Sequence, residues 1–391
     1  MTGNTHRPRP ITTPPDPQEM ARRLEAVRSR MAEVGLEAYV VVDVHNVYYL
    51  TNFANYVHER PFILVVFRDG PMRFVVPTLE RAHVEARAIA PVDLLDYPEF
   101  PAPAGDEWSD RLADVLADTV AVGVESTCPL FVAAVLTSEP TPVDVVDEVR
   151  MLKSDYEIGR LAHAGTVVSD AHRETMDRVA PGDIMAVLAG DTTRSMTVRT
   201  LMDMPHTNML ASSFGAVIQP PSISWDPHNF TDVFLTMEQG GPHVSVINSV
   251  VNGYGAEIER TFFLNAVPDE ARRPFAAMMA ARELAFELTV PGADMAGVDR
   301  AVHACIADQG YGDHTLHRTG HSFGVTGHEA PFLAAGYERV ITPGMVFSIE
   351  PGIYLDGVGG FRHSDTVLVT DRGNVSLTDA PDQLDDVTFT R

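Results

Sequence analysis

The sequence predicts two domains, an α/β domain followed by an α+β domain. With 391 residues, the chain exceeds the size at which one hydrophobic core usually stops growing. Helical and strand-like segments alternate through the first 145 residues, which is typical of an α/β domain. Beyond them, long helical segments alternate with strand-rich stretches. The charged segment 147–159 separates the two patterns, and we place the domain junction there.

The N-terminal domain is expected to follow a polar tail. Residues 1–15 are rich in Pro, Thr and Arg, which is typical of a flexible end. Asp16 and Pro17 supply an N-cap and a proline at the first helical position, so a helix should begin there. Residues 68–71 form a turn signal between two apolar segments, which predicts a hairpin. This domain is assigned to residues 16–150.

The C-terminal domain is assigned to residues 151–391. Ser154 can cap a long helix that runs to about Val179. Residues 252–255 are a glycine-rich turn between two apolar segments and predict a second hairpin. Residues 271–288 read as another long helix. Helices and paired strands in one domain indicate an α+β arrangement.

Composition excludes several classes of function. The net charge of -25 and a pI near 4.8 argue against binding nucleic acid, because such proteins need a cationic surface. Neither a leader-like N-terminus nor a run of eighteen apolar residues is present, so secretion and membrane insertion are not expected. The two cysteines lack metal-type spacing, which suits a reducing cytoplasm.

A dense group of polar residues lies between Gly320 and Ser364. It contains His321, His328 and Glu350, each beside glycine or proline. Taken singly, such residues are commonly structural. Together they indicate side chains that converge on one site.

Six motifs occur in the order found in the pita-bread hydrolases, and the chain resembles that family over residues 18–375. The family includes Xaa-Pro aminopeptidases, prolidases, methionine aminopeptidases and creatinase. The resemblance implies a creatinase-like N-terminal domain and a pita-bread (creatinase/aminopeptidase) C-terminal domain. The motifs are Asp226-Pro227-His228-Asn229, Ala256-Glu257-Ile258-Glu259-Arg260-Thr261, Gly320-His321-Ser322-Phe323-Gly324, His328-Glu329-Ala330-Pro331, Glu350-Pro351-Gly352 and Ser364-Asp365-Thr366-Val367.

Metallopeptidases of this family use five ligands: two aspartates, one histidine and two glutamates. The resemblance places Glu257, His321 and Glu350 at three of these positions. Asn248 and Ser364 fall at the other two, and neutral groups cannot offset two divalent ions as carboxylates do. We therefore expect no metal cofactor, with a single Mn, Co or Zn ion on the three remaining residues as the alternative.

The departures resemble creatinase, which works without metal. The resemblance rests on Asn248, on the Glu259-Arg260-Thr261 signature and on the Arg60-Pro61 pair. It implies that His228 transfers protons, with His321 beside it in the catalytic group. It also implies that Glu259 and Glu350 hold a cationic part of the substrate.

Other residues are expected to contact substrate. Arg60 and Phe62 would do so from the N-terminal domain, across the interface of a homodimer. His328 would lie in the site itself. Arg362 or His363 could contact an anionic group, whereas the alternative for Arg362 is a pair with a neighbouring carboxylate.

Three functions follow from these observations. The first is a metal-independent, creatinase-like hydrolase or lyase that acts on a C–N bond of a small, cationic, amino-acid-like substrate by histidine acid/base catalysis. The second is a metal-dependent Xaa-Pro aminopeptidase or dipeptidase with an altered metal site. The third is a non-catalytic pita-bread binding module. For each we expect a cytoplasmic homodimer without nucleic-acid or membrane partners.

Overall fold

The structure is a computed structural model, and its chain divides into two compact units. The first unit is Thr13–Arg150, and the second is Met151–Arg391 together with residues 7–12. Among the described residues, no helix combines the length and apolar character needed to span a bilayer. The described residues are 7–56, 59–136 and 139–391.

Part of the expected tail packs within the second unit. Ile11 donates its backbone N–H to the carbonyl of Gly159 at 2.9 Å. A side chain on Gly159 would occupy the space that the Ile11 side chain fills at 2.5 Å. The composition predicts that this stretch is flexible, but Ile11 packs against the second unit. It can do so because Gly159 leaves room for the isoleucine side chain.

The Thr13–Arg150 unit is an α/β domain with a mixed sheet. Its helices are α1 (Pro17–Glu33), α2 (Val44–Thr51), α3 (Arg81–Arg87), α4 (Trp108–Leu116), α5 (Leu130–Ala133) and α6 (Val145–Arg150). Its strands are β1 (Ala38–Val41), β2 (Ile63–Phe67), β3 (Met72–Pro77), β4 (Val92–Tyr97), β5 (Val122–Val124) and β6 (Thr141–Pro142). The strand order is β4-β3-β2-β1-β5-β6. The antiparallel pairing of β2 with β3 confirms the predicted first hairpin.

The second unit is an α+β domain. Its helices are α7 (Asp155–Met176), α8 (Met185–Asp203), α9 (Pro221–Ser224), α10 (Asp269–Leu288) and α11 (Met295–Asp308). Its strands are β7 (Ser213–Gln219), β8 (Gly240–Val251), β9 (Tyr254–Leu264), β10 (Gly320–Ser322), β11 (Glu329–Leu333), β12 (Val346–Ile349), β13 (Gly352–Leu355), β14 (Gly359–Arg362), β15 (Ser364–Thr370), β16 (Gly373–Ser376) and β17 (Thr388–Phe389). The main sheet runs β11-β10-β12-β15-β9-β8-β7, with β16 beside β15 and β17 beside β9, while β13 and β14 form a separate ribbon.

Two local sequence signals of this unit form as predicted. The hydroxyl of Ser154 accepts a hydrogen bond from the N–H of Glu157 and begins α7. β8 and β9 pair as an antiparallel hairpin. Asn252 and Gly253 in its turn have φ angles of 44° and 80°, the left-handed values that a tight hairpin turn needs.

A buried ion cluster ties β9 to β15. Asp365 accepts from Arg260 at 3.0 Å and also pairs with Arg282 at 2.5 Å. The two guanidinium groups hold the pKa of Asp365 well below its usual range, although burial alone would raise it. The cluster fixes the strand pairing that places Ser364 opposite Glu259.

Replacing Asp365 by asparagine is expected to lower the free energy of unfolding by about 3–5 kcal/mol, because two buried arginines lose their charge partner. Asp382→Asn is the matched control. Asp382 pairs with Arg282 at 3.1 Å but is one-third exposed, so its loss should cost about 1 kcal/mol or less. Chemical denaturation of both variants measures the difference. Equal losses of unfolding free energy in the two variants would contradict the conclusion that Asp365 stabilises the fold more than Asp382 does.

Candidate active site

Three side chains from separate strands converge in the second unit. Glu257 lies on β9, His321 on β10, and Glu350 directly after β12. One oxygen from each carboxylate and one ring nitrogen of the histidine all lie within 4.8 Å of one another. His321 Nε2 is 3.5 Å from Glu350 Oε1. Two carboxylates and an imidazole form a donor set suited to Mn, Co or Zn.

The hydrogen bonding of His321 leaves one ring nitrogen available as a ligand. Nδ1 lies 3.1 Å from the carbonyl of Ser322, and since a carbonyl only accepts, Nδ1 carries the proton. Nε2 is buried and has no hydrogen-bond partner among the described residues. Burial, and next the neighbouring His328, lowers the pKa of His321 to about 3. The imidazole is therefore neutral near pH 7, with its Nε2 lone pair towards the carboxylates.

The glycines that flank His321 are required by close packing. A Cβ at Gly320 would collide with the carbonyl oxygen of Ser348 on β12, and a Cβ at Gly324 would collide with the carboxylate of Glu329. A larger residue at Gly320 would push β10 away from β12, whereas one at Gly324 would displace the Glu329 carboxylate. The Gly-His-Ser-Phe-Gly motif therefore holds the histidine close to the next strand.

Asn248 and Ser364 lie where the resemblance places the remaining ligands. Asn248 is the cross-strand partner of Glu257, so both side chains share one face of the hairpin. Ser364 is the cross-strand partner of Glu259. The cluster thus has an amide and a hydroxyl at these two positions rather than carboxylates.

Three carboxylates lie close together in this cluster. Burial, with the negative charges of Glu259 and Glu350, raises the pKa of Glu257 well above its usual value. Burial and Glu259 raise the pKa of Glu350 to about 8, while Arg362 acts in the opposite direction. Burial also raises the pKa of Glu259, and Arg362 again opposes the shift. The repulsion among these groups favours a bound cation.

A chain of hydrogen bonds holds Glu259 and explains the position of Arg362. Arg362 Nη2 pairs with Glu259 Oε1 at 2.7 Å, and Nη1 donates to the Tyr354 hydroxyl at 3.0 Å. The Tyr354 hydroxyl lies 2.7 Å from Nε2 of His317, whose Nδ1 lies 2.8 Å from the carbonyl of Arg318. Because that carbonyl only accepts, Nδ1 donates and Nε2 accepts from Tyr354. Arg362 therefore pairs with a neighbouring carboxylate, the alternative given for it above.

His228, which is expected to transfer protons, and His328, which is expected to contact substrate, are both exposed. The His328 ring is 3.9 Å from the His321 ring, nearly perpendicular to it. His228 precedes β8, and a positive charge on it would lower the pKa of Glu259 and of His328. The His328 ring therefore lies beside His321 with one side open to solvent, while His228 is exposed and close enough for its charge to act on Glu259.

His363 lies outside this group, unlike the expectation. It is fully buried, with Nε2 3.0 Å from the carbonyl of Asp382 and an edge contact to the Phe275 ring. Neighbouring residues of an extended chain point to opposite faces, so the placement of Ser364 beside Glu259 turns His363 into the core. No contact with substrate is available from that position.

Arg60 and Phe62 belong to the first unit. Arg60 pairs with Glu59 and Glu99, each at 2.6 Å, and Phe62 packs against Phe53 and Phe74. Together they line a cavity of about 580 Å³ within that unit. Their expected contact with substrate stays a prediction.

Sequence reasoning missed three residues that support the site: Lys153, Tyr354 and His317. Lys153, the one lysine in the sequence, is buried; its Nζ donates to Ser322 at 2.8 Å and pairs with Glu329 at 3.2 Å. It thereby anchors the residues that directly follow His321 and His328. The sequence signal that could have indicated this role is that Lys153 is the one lysine of a strongly acidic protein.

The donor set fits one divalent ion better than two. Arg362 offsets one of the three carboxylates, so two negative charges remain to balance a single divalent cation. A second ion would need further anionic ligands, whereas Asn248 and Ser364 are neutral. Mononuclear binding by Glu257, His321 and Glu350 is consistent with these charges.

Two family models match the chain. The model for metallopeptidase family M24 matches residues 159–371, and the model for the creatinase/prolidase N-terminal domain matches residues 23–152. The first covers more than half of the sequence and includes the three convergent donors.

Relatives and solved structures extend the similarity over almost the whole chain. A probable dipeptidase PepE of Mycobacterium tuberculosis is 30% identical over 379 residues, covering 94% of this chain and 97% of the relative. An Xaa-Pro dipeptidase of Pyrococcus furiosus is 26% identical over 366 residues, covering 92% and 98%. The structure of dipeptidase PepE from Mycobacterium ulcerans matches with a TM-score of 0.83 at 27% identity, covering 96% and 100%.

These findings favour the second of the three functions. The relatives are described as dipeptidases and the family as metallopeptidases, so the expectation of a metal-independent, creatinase-like enzyme is not supported. The expectation that no metal is needed is likewise not supported, since three donors converge as a metal site requires.

The predicted fold is confirmed: a creatinase-type N-terminal domain precedes a pita-bread catalytic domain. The chain is an enzyme of the creatinase and Xaa-Pro peptidase group, and it belongs to metallopeptidase family M24.

Proposed function

We propose that this protein is a metal-dependent dipeptidase whose single divalent ion is held by Glu257, His321 and Glu350. The observation that carries the proposal is the mutual approach of their donor atoms within 4.8 Å. Mn, Co or Zn bound there would polarise the peptide carbonyl and activate water for hydrolysis. A second ion is excluded because Asn248 and Ser364, at the two remaining ligand positions, are neutral.

Two histidines have different roles in this proposal: one transfers a proton and the other binds substrate. Hydrolysis of a peptide bond requires a proton for the leaving nitrogen, and an imidazole exchanges protons near neutral pH. His228 is assigned this transfer because its ring is exposed and its charge acts on Glu259. His328 lies directly beside His321 and is assigned to hydrogen-bond the substrate.

Glu259 and Arg362 have a positioning role rather than a direct one. The sequence analysis predicted that Glu259 holds a cationic group of the substrate. In the structure, its Oε1 already pairs with Arg362. Arg362 is in turn oriented by Tyr354 and His317. This pair keeps the charge balance beside Glu257 and Glu350 without contacting substrate.

The substrate proposed is a short peptide, and Xaa-Pro dipeptides are the first class to examine. The support is that a relative over nearly the whole chain is described as an Xaa-Pro dipeptidase. A homodimer in which Arg60 and Phe62 serve the partner's site, and a cytoplasmic location, remain predictions from the family resemblance.

Chelation tests the proposal. Protein treated with EDTA and dialysed should lose hydrolysis of a panel of Xaa-Pro and other dipeptides, and Mn, Co or Zn should restore it. Mg, which prefers an all-oxygen octahedral shell, should restore less. Creatine, a small guanidinium substrate, serves as the comparison. Dipeptide hydrolysis that persists without metal, or metal-free cleavage of creatine, would contradict the proposal.

A further inference from the structure

A second cavity lies on the opposite side of the strand that carries the catalytic carboxylates. Along β9, Glu257 and Glu259 point to one face of the sheet, so Arg260 and Phe262 point to the other. There a cavity of about 200 Å³ opens between α7, β9 and β17. His172 and Met176 line it from α7, Arg260 and Phe262 from β9, and Val387 and Phe389 from the C-terminal segment.

One wall of the cavity carries a buried polar group without a partner. The His172 side chain is 2% exposed, and neither of its ring nitrogens has a hydrogen-bond partner among the described residues. A buried polar group left unpaired lowers the stability of the fold, so such groups are rare unless something else satisfies them. A cavity beside the ring provides room for that partner.

The charged residues around the cavity are already engaged. Arg260 donates to the carbonyls of Pro381, Ala380, Glu259 and Ser364 and pairs with Asp365. On the exposed rim, Arg173 pairs with Asp170 and Asp379. With both guanidinium groups paired, the cavity offers no strong site for an anion.

The remaining walls are apolar and partly aromatic. Met176 and Val387 are buried, and the Phe262 and Phe389 rings lie 6.2 Å apart. Burial, and next the charge of Arg260, lowers the pKa of His172 to about 3, so its ring is neutral with one N–H donor and one acceptor nitrogen. A matching ligand is uncharged, flat and carries a single hydrogen-bonding group.

We propose that this cavity is a binding site for a small neutral aromatic molecule whose hydroxyl or N–H group hydrogen-bonds to His172. The site is separate from the metal donors and does not depend on the proposed peptidase activity. Its base is formed by Arg260 and Phe262, which alternate along β9 with the residues of the catalytic face.

Phenol and toluene test the site, because they share a shape and differ in one hydroxyl group. In protein labelled with ¹⁵N at histidine, phenol should shift the His172 ring nitrogens in a saturable titration. Toluene should bind at least about tenfold more weakly, since it leaves the buried imidazole unpaired. His172→Phe keeps the ring and should reduce phenol affinity to that of toluene.

Two further variants keep the test independent of how well His172→Phe folds. Val387→Trp fills the cavity and should abolish the binding of both compounds. His206→Phe, at an exposed histidine of the same unit, should leave phenol binding unchanged. The proposal is overturned if phenol does not shift the His172 nitrogens, or if it binds equally well to the Val387→Trp protein; the first result would indicate that water alone occupies the cavity.

Discussion

Replacing Glu350 by glutamine is expected to lower kcat/KM for dipeptide hydrolysis by at least about three orders of magnitude. The amide removes one of the two anionic ligands from the Glu257, His321 and Glu350 group. A neutral amide is a weaker ligand and leaves the charge of a divalent ion poorly balanced. Steady-state kinetics in buffer containing Mn would measure the loss.

A folding defect can be separated from this effect. Glu350 lies beside other buried carboxylates that repel it, so removing its charge should not lower the melting temperature of the metal-free protein. Glu338→Gln, at an exposed glutamate of the same unit, should retain full activity. If Glu350→Gln keeps more than about a tenth of the activity, Glu350 is not a metal ligand.

The double variant Asn248→Asp with Ser364→Glu is expected to raise the metal content from about one to about two ions per chain. Each new carboxylate would stand opposite an existing one, because position 248 faces Glu257 and position 364 faces Glu259. These are the two positions at which the resemblance places the missing ligands. Equilibrium dialysis against Mn followed by elemental analysis gives the stoichiometry.

Asn248→Ala with Ser364→Ala is the matched control for the double variant. It alters the same positions without adding charge, so it should bind about one ion per chain, as the unaltered protein does. If the carboxylate variant still binds one ion per chain, the residues at positions 248 and 364 do not determine whether a second ion binds.

Local sequence signals were enough to predict the helix starts and the hairpins. Ser154 caps α7, and the Asn252-Gly253 turn joins β8 to β9, because both structures depend on residues adjacent in the chain. Helix α7 ends at Met176, a little before the expected Val179, since propensity marks helix ends less sharply than caps mark helix starts.

The site could be predicted only in part. Glu257, His321 and Glu350 come from strands far apart in sequence, and only the order of motifs brought them together. The partner of Arg362 depends on how β14 and β15 lie beside β9, which no local pattern encodes. His317 and Tyr354 carry no motif of their own and act through that arginine, so sequence reasoning could not select them.

The metal content of the unaltered protein tests the central claim most directly. After equilibrium dialysis against Mn, Co or Zn, elemental analysis should give about one ion per chain, and His321→Ala should lose it. The absence of bound metal, two ions per chain, or one ion retained by His321→Ala would each contradict a mononuclear site at Glu257, His321 and Glu350.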